Sequence, residues 1–264
     1  MIRDPLTDDT IAPLLRDLRI KWQVHAYDSV ISTNDTAKNL ALQGAKEGTL
    51  VVAETQSGGY GRRANVWESP EGGLWFSFVL RPHLPPGRAS GLSIVAAVAL
   101  ARTTNDLFDI GARIKWPNDV FVAGRKLAGA MVLSAGEGVA VVGVGVNVNV
   151  PREHLPDPGW YEATSILQES GGEVSRAELL AHFLSGFESR YFAYRSPDHA
   201  QLISEWRELS LVIGESVSAT VQDETVRGTV FGLEDDGGIV LRLADGSHRK
   251  LLPTGDVTLT VERG

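Results

Sequence analysis

Cysteine is absent from the 264-residue chain, which excludes disulfide staples, thiolate catalysis and thiolate metal sites together. No window approaches the roughly 18 uncharged apolar residues of a membrane span. The N-terminus, Met1-Ile2-Arg3-Asp4-Pro5, places an acid and a proline where a signal peptide needs an unbroken apolar run. The six histidines are scattered, with no pair at metal-ligand spacing. A Gly-x-Ser-x-Gly elbow, internal repeats and low-complexity tracts are also missing.

What is present describes a globular protein: 43% hydrophobic and 22% charged residues in 28.5 kDa. A chain of this size buries about three quarters of its extended surface, enough for one full core and a small satellite domain. The 33 acids outweigh 25 basic residues, for a net charge of -8. Such a surface disfavours unspecific attachment to nucleic acid or anionic membrane, while a local basic cleft stays open. The expected compartment is the cytoplasm.

Leu14, Leu15 and Leu18 place a short helical segment in residues 1–21, and Trp22 to Tyr27 alternates as a strand. Ser32, three residues before Asp35, reads as a capping-box start to a helix ending near Gly44. Thr49 to Ala53 and Leu74 to Leu80 read as strands, and Leu92 to Leu107 as a core helix of 3.6 period. Arg113 to Trp116 is a short strand; Val120 to Ala123 and Leu127 to Leu133 form a hairpin; Val139 to Val150 is a long strand. Helices return at Ala177 to Tyr191, capped by Ser175 with Glu178, and near Leu202 to Trp206. Hairpins mixed with helices predict a mixed sheet with helices on one side. After Val212 only short strands remain, turning at Asp235-Asp236-Gly237-Gly238 and Asp245-Gly246, which fits a small SH3-like barrel. The expected divisions are 1–21, a catalytic domain over 22–212, and a C-terminal domain over 215–264.

Gln56 to Trp67 (QSGGYGRRANVW) packs three glycines into four positions and adds adjacent arginines. Glycines let such a loop turn its amides toward a ligand, and arginine forks suit phosphate or carboxylate. Read alone, the segment is equally a solvated surface turn. It is neither a P-loop, lacking the lysine and hydroxyl pair, nor a Rossmann turn. Between Glu54 and Ala130, nine basic residues face six acids, so an anionic ligand would be favoured there. Proline holds the backbone extended in Lys115-Trp116-Pro117-Asn118-Asp119, presenting Asn118 and Asp119 at a strand end. An acid there could hold magnesium or a ribose; a hairpin Asx turn explains the segment equally well. Lys126, in Gly124-Arg125-Lys126-Leu127-Ala128-Gly129, is a flexible ammonium suited to neutralising a transferring phosphoryl or adenylyl group. In Gly143-Val144-Gly145-Val146-Asn147, two strand glycines suggest close approach by a ligand or another chain.

Taken in order, these segments resemble the catalytic core of the biotin protein ligases, also called biotin–acetyl-CoA-carboxylase ligases. The likeness is strong over 27–149 and weaker through the C-terminal barrel. It implies an α+β fold, a mixed β-sheet with flanking helices related to class II aminoacyl-tRNA synthetases, plus an SH3-like C-terminal β-barrel. It further implies that biotin and ATP give biotinyl-5'-AMP, and that biotin then passes to a lysine of a biotin carboxyl carrier domain of a carboxylase. The matching catalytic positions are Lys126 and Arg62. Those for biotin are Ser32, Thr33, Asn34, Gln56, Gly59, Gly61, Arg62, Lys126, Gly129 and Gly145. Those for ATP and the adenylate are Arg62, Arg63, Trp67, Asn118, Lys126 and Asn147, with Trp67 covering the adenine. Asp119 is the candidate Mg²⁺ ligand. The loop is expected to order over the intermediate. Tyr60 stands where the commonest family loop has its first arginine, and Ala64-Asn65 replace its final Gly-Arg pair. Only about twenty residues precede Trp22, too few for the winged helix of longer members, so no DNA partner and no membrane is expected; a homodimer is left open. The rival readings are a lipoate ligase, which would want a longer apolar slot, a ligand-sensing regulator, and a structural interaction protein.

Overall fold

The protein is described here by a computed structural model covering residues 4–85, 87–156, 161–196, 200–221, 224–234, 236–253 and 257–261. Met1 to Arg3, Asp235 and the last three residues of the chain lie outside this set. The main layer is a seven-stranded sheet of β1 (Gln23–Val30), β2 (Thr49–Gln56), β3 (Leu74–Leu80), β4 (Arg113–Lys115), β5 (Asp119–Val122), β6 (Arg125–Ser134) and β7 (Ala140–Val146). Their spatial order is β1-β2-β3-β7-β6-β5-β4. Only β1 and β2 pair in parallel, so the sheet is mixed as expected.

Six helices accompany it among the described residues: α1 (Asp8–Ile11), α2 (Thr33–Leu42), α3 (Leu92–Phe108), α4 (Ile166–Ser170), α5 (Arg176–Arg195) and α6 (Ala200–Leu209). The strand pleat sends alternate side chains to opposite faces. Leu50, Val52, Phe76, Phe78 and Val142 meet the large core under α3 and α5, where Phe78 and Phe187 stand 4.9 Å apart edge to face. Val51, Val79 and Val141 instead meet Ala37 and Ala41 of α2. Helices therefore cover both faces, a correction to the one-sided layer expected from sequence. The small residues of α2 make this possible, because they let a short helix lie close on a valine surface.

Three local expectations also change. The N-terminal helix is only α1 and a 3₁₀ turn, Ala12–Leu15, so Leu15 is buried while Leu14 faces solvent. Pro13 at the start of that turn has no N–H to continue an α-helical ladder. The capping box at α2 does not form: Ser32 is the N-cap but makes no side-chain cap bond. Asp35 turns its carboxylate to Tyr60 instead. The strand expected to reach Val150 ends at Val146. Beyond it the Asn149 amide bonds Gly72 O, and the Asn147 and Val148 carbonyls receive the first amides of α4.

Glu188 of α5 ties down the chain before β1. Its carboxylate, 4% exposed, accepts from Arg19 N (2.8 Å), Ile20 N (2.8 Å) and Trp22 Nε1 (2.9 Å). Glu188→Ala leaves three donors unpaired, two of them backbone, and is expected to lose about 3 kcal/mol of stability. Urea unfolding checks this; an unchanged midpoint would mean that solvent replaces the carboxylate freely.

The C-terminal sheet runs β11-β10-β9-β8-β12, all antiparallel. Its strands are β8 (Ser216–Val221), β9 (Glu224–Leu233), β10 (Ile239–Arg242), β11 (His248–Leu251) and β12 (Val257–Val261). Trp116 Nε1 donates to Gly237 O at 2.9 Å, joining this sheet to the connection between β4 and β5. No helix among the described residues is long and apolar enough to cross a membrane.

Candidate active site

A cavity of about 600 Å³ lies between the loop after β2, the β5–β6 hairpin, β7 and the edge strand β12. Its floor begins with the α2 start. Gln56 Oε1 accepts from Thr33 N (2.8 Å) and Thr33 Oγ1 (3.0 Å), while Gln56 Nε2 donates to Ser69 Oγ (2.7 Å). Fully buried Ser77 lies 2.8 Å from Thr33 Oγ1 and donates to Asn34 Oδ1 at 2.9 Å. Gln56 thus fixes the floor with both ends of its amide rather than keeping either free.

Glycines of the neighbouring strands leave room for these side chains. A Cβ at Gly143 would overlap the Asn34 carboxamide, and one at Gly145 would stand 2.6 Å from Trp67 Nε1. The indole also lies beside Gly129 and makes an edge contact with Trp75 at 6.4 Å. Its N–H is buried without a hydrogen-bond partner. A Cβ at Gly59 would approach Trp67 O to 2.5 Å, so this glycine is needed for the loop to close.

Two cations are held by adjacent residues of the hairpin. Arg62 Nη1 donates to Asn118 Oδ1 at 3.3 Å, and its Nη2 donates to Val257 O at 2.8 Å. Lys126 Nζ pairs with Asp119 Oδ1 at 2.9 Å and lies 5.2 Å from the Trp67 ring centre. A bulge puts Lys126 there. Asp119 faces Gly129 and Val120 faces Ala128, but Phe121 faces Lys126, so the ladder skips Leu127. The extra residue is buried in the core, and Lys126 joins Gly129 and Met131 on the cavity side. Its backbone is clamped by one segment, donating to Glu162 O (2.7 Å) and accepting from Thr164 N (2.9 Å).

Lys115 lines the same cavity, hydrogen-bonded to Tyr161 and lying over its ring at 3.9 Å. Burial pushes its ammonium down to about 8, and Lys126 adds to this while Asp119 opposes it. Burial likewise raises the Tyr60 hydroxyl to about 12, reinforced by the Asp35 carboxylate.

Of the residues expected from sequence, Thr33, Asn34, Gln56, Gly61, Arg62, Arg63, Trp67, Asn118, Asp119, Lys126, Gly129 and Gly145 line this cavity. Gly59 lines a shallower groove on the outer side of the loop. Ser32 and Asn147 are buried and line neither. Asn147 Nδ2 donates to Thr164 O at 2.9 Å, bracing the segment that clamps Lys126. The sequence marks Gly143 as a strand glycine open to close approach without placing it among the biotin contacts, and it gives no sign of Ser77, Tyr161 or Leu259. The i, i+2 spacing of Gly143 and Gly145 carries a signal that both face one side; nothing in the sequence joins β12 to the wall.

Among the described residues, no group of three or more His, Asp or Glu converges as a metal site. Asp119 is the one carboxylate among the described residues lining the cavity. That donor set suits a magnesium ion whose remaining ligands are phosphate oxygens and water, not a resident metal.

Residues 27–149 match the biotin/lipoate A/B protein ligase family, and residues 212–259 match the biotin protein ligase C terminal domain. The chain is 36% identical over 225 residues to the bifunctional ligase/repressor BirA of Bacillus subtilis, covering 83% of this chain and 69% of that protein. It is 33% identical over 233 residues to the biotin–[acetyl-CoA-carboxylase] ligase of Paracoccus denitrificans, covering 86% and 96%. The biotin protein ligase of Aquifex aeolicus, solved in complex with biotin and ATP, superposes with a TM-score of 0.78 at 26% identity, covering 91% of this chain and 99% of that one.

Proposed function

The chain belongs to the biotin/lipoate A/B protein ligase family, and from that premise we propose that it forms biotinyl-5'-AMP from biotin and ATP and transfers biotin to a lysine of a biotin carboxyl carrier domain. The observation that carries this reading is the convergence of Arg62 and Lys126, held by adjacent Asn118 and Asp119, above a floor built by Thr33 and Asn34.

A carboxylate and the α-phosphate of ATP repel each other, so their approach needs positive charge in a site poor in water. Lys126 supplies it where the carboxylate oxygen attacks the α-phosphorus and the bond to the bridging oxygen breaks, releasing pyrophosphate. Arg62 grips the adenylate so formed. In the second step the acceptor amine attacks the acyl carbon, the bond to the phosphate oxygen breaks, and AMP leaves while the amine gives up its proton. Thr33 and Asn34 hold the biotin head, and the Trp67 ring covers the nucleotide. Magnesium, with Asp119 as its protein ligand, would neutralise phosphate charge. The acceptor is a carboxylase carrier domain, and the catalytic work falls to residues 22–212.

The family includes lipoate enzymes, so substrate choice is the test. ATP-dependent pyrophosphate release is expected with biotin and not with lipoate at equal concentration; the reverse preference would assign the site to lipoate. Lys115 adds a pH signature. Its ammonium faces the phosphate side and loses its proton above about pH 8. kcat/KM for ATP, which reports the free enzyme, is therefore expected to fall about fivefold between pH 8 and 9. Lys115→Arg, charged throughout, is expected to flatten the profile. A flat wild-type profile would remove Lys115 from nucleotide binding.

A further inference from the structure

The loop after β2 is a small hairpin. Tyr60 bridges Val66, the Gly61 amide bonds Asn65 O at 2.8 Å, and the Trp67 amide bonds Gly59 O at 2.9 Å. Its tip holds two non-glycine residues in the left-handed region, Arg63 at φ 58 and Ala64 at φ 55. That conformation is unfavourable for L residues and persists where the surroundings fix it. Arg62 fixes one side of the hairpin to Asn118 and Val257. Tyr60 fixes the other: its Oη donates to Asp35 Oδ1 at 2.8 Å. Asp35 lies in the first turn of α2, directly after Thr33 and Asn34, which line the cavity. Tyr60 itself lines both the cavity and the outer groove, so its ring is part of the wall between them.

We propose that Tyr60 is a positioning residue that clasps the hairpin to α2 through Asp35, closing the biotin side of the cavity and aligning Arg62 and Trp67. A hairpin held at both margins moves as a unit, so a restraint at Tyr60 reaches Arg62 two residues on and Trp67 across the ladder. The raised Tyr60 pKa keeps its hydroxyl a donor across the working range. The catalytic consequence rests on the biotin-ligase reading; the clasp does not.

Two readouts separate them. In ligand-free protein, Tyr60→Phe removes only the hydroxyl. Hydrogen exchange at the Gly61 and Trp67 amides and tryptic cleavage after Arg62 or Arg63 are expected to quicken about fivefold or more, the loss of one charge-assisted bond. Asp35→Ala is expected to do the same, and the double variant no more than either. Tyr60→Arg, which can pair with the Asp35 carboxylate, is expected to restore protection with Asp35 present and not with Asp35→Ala. In turnover, Tyr60→Phe is expected to raise KM for biotin about fivefold and to speed adenylate escape, with a smaller change in kcat. Unchanged exchange and cleavage in Tyr60→Phe would overturn the clasp whatever the activity. Faster exchange with an unchanged KM for biotin would overturn the positioning role. A wild-type protein that makes no biotinyl-AMP would instead sink the enzymatic reading, with the exchange data still deciding the clasp.

Discussion

Lys126→Ala is expected to slow biotin-dependent pyrophosphate release by a factor of about 10² to 10³, the usual effect of deleting one donor aimed at developing charge. Negative charge on the non-bridging oxygens of the α-phosphorus meets the ammonium more closely in the transition state than in the separated substrates. Only such a difference accelerates the step. The geometry supports a large effect because Lys126 does not have to be recruited. A bulge aims it, two backbone bonds clamp it, and Asp119 orients its Nζ at 2.9 Å. The pair is partly exposed, so its loss is expected to change stability by no more than about 1 kcal/mol. Lys126→Arg is expected to recover the rate only in part, since a planar fork does not fill the place of a compact ammonium. Pyrophosphate release near the wild-type rate in Lys126→Ala would remove this lysine from the first step.

The second large effect comes from a residue with no side chain. Gly143→Ala places a methyl group where the Asn34 carboxamide lies. Asn34 must then move, and its buried carboxamide leaves the Ser77 hydroxyl, which keeps only Thr33 Oγ1 as a partner. A buried carboxamide forced off its partners costs roughly 1 to 3 kcal/mol, and the displaced floor costs binding as well. kcat/KM for biotin is expected to fall roughly 30- to 150-fold, the equivalent of about 2 to 3 kcal/mol. Gly172→Ala, at a position with nothing within 4 Å of the added carbon, is the matched control and is expected to leave both unchanged. Wild-type kinetics in Gly143→Ala would mean that Asn34 has no part in the biotin floor.

Local patterns in the sequence carried far. The alternation of Leu74, Phe76, Phe78 and Leu80, the 3.6 period of α3, and the short strands after Val212 all reappear as elements of the fold. Most residues chosen for the site line one cavity because loop glycines and clustered cations are local signals. What could not be read was parity and partnership. A bulge that turns Lys126 to the cavity leaves no mark in a 2-residue alternation, since Leu127 suits either face. The contribution of Val257 and Leu259 depends on how two sheets meet, far apart in sequence. Asp35 matched a capping signature, yet the competing partner Tyr60, 25 positions away, took its carboxylate. Asn147 has the composition of a ligand residue and the position of a brace.

Biotin transfer is tested most directly by incubating the protein with labelled biotin, ATP, Mg²⁺ and a biotin carboxyl carrier domain, then locating the label by peptide mass spectrometry. ATP-dependent labelling is expected at one lysine of the carrier domain, with the same product when biotinyl-5'-AMP replaces biotin and ATP. Formation of the adenylate with no transfer to the carrier, or no biotin-dependent adenylate at all, would contradict it.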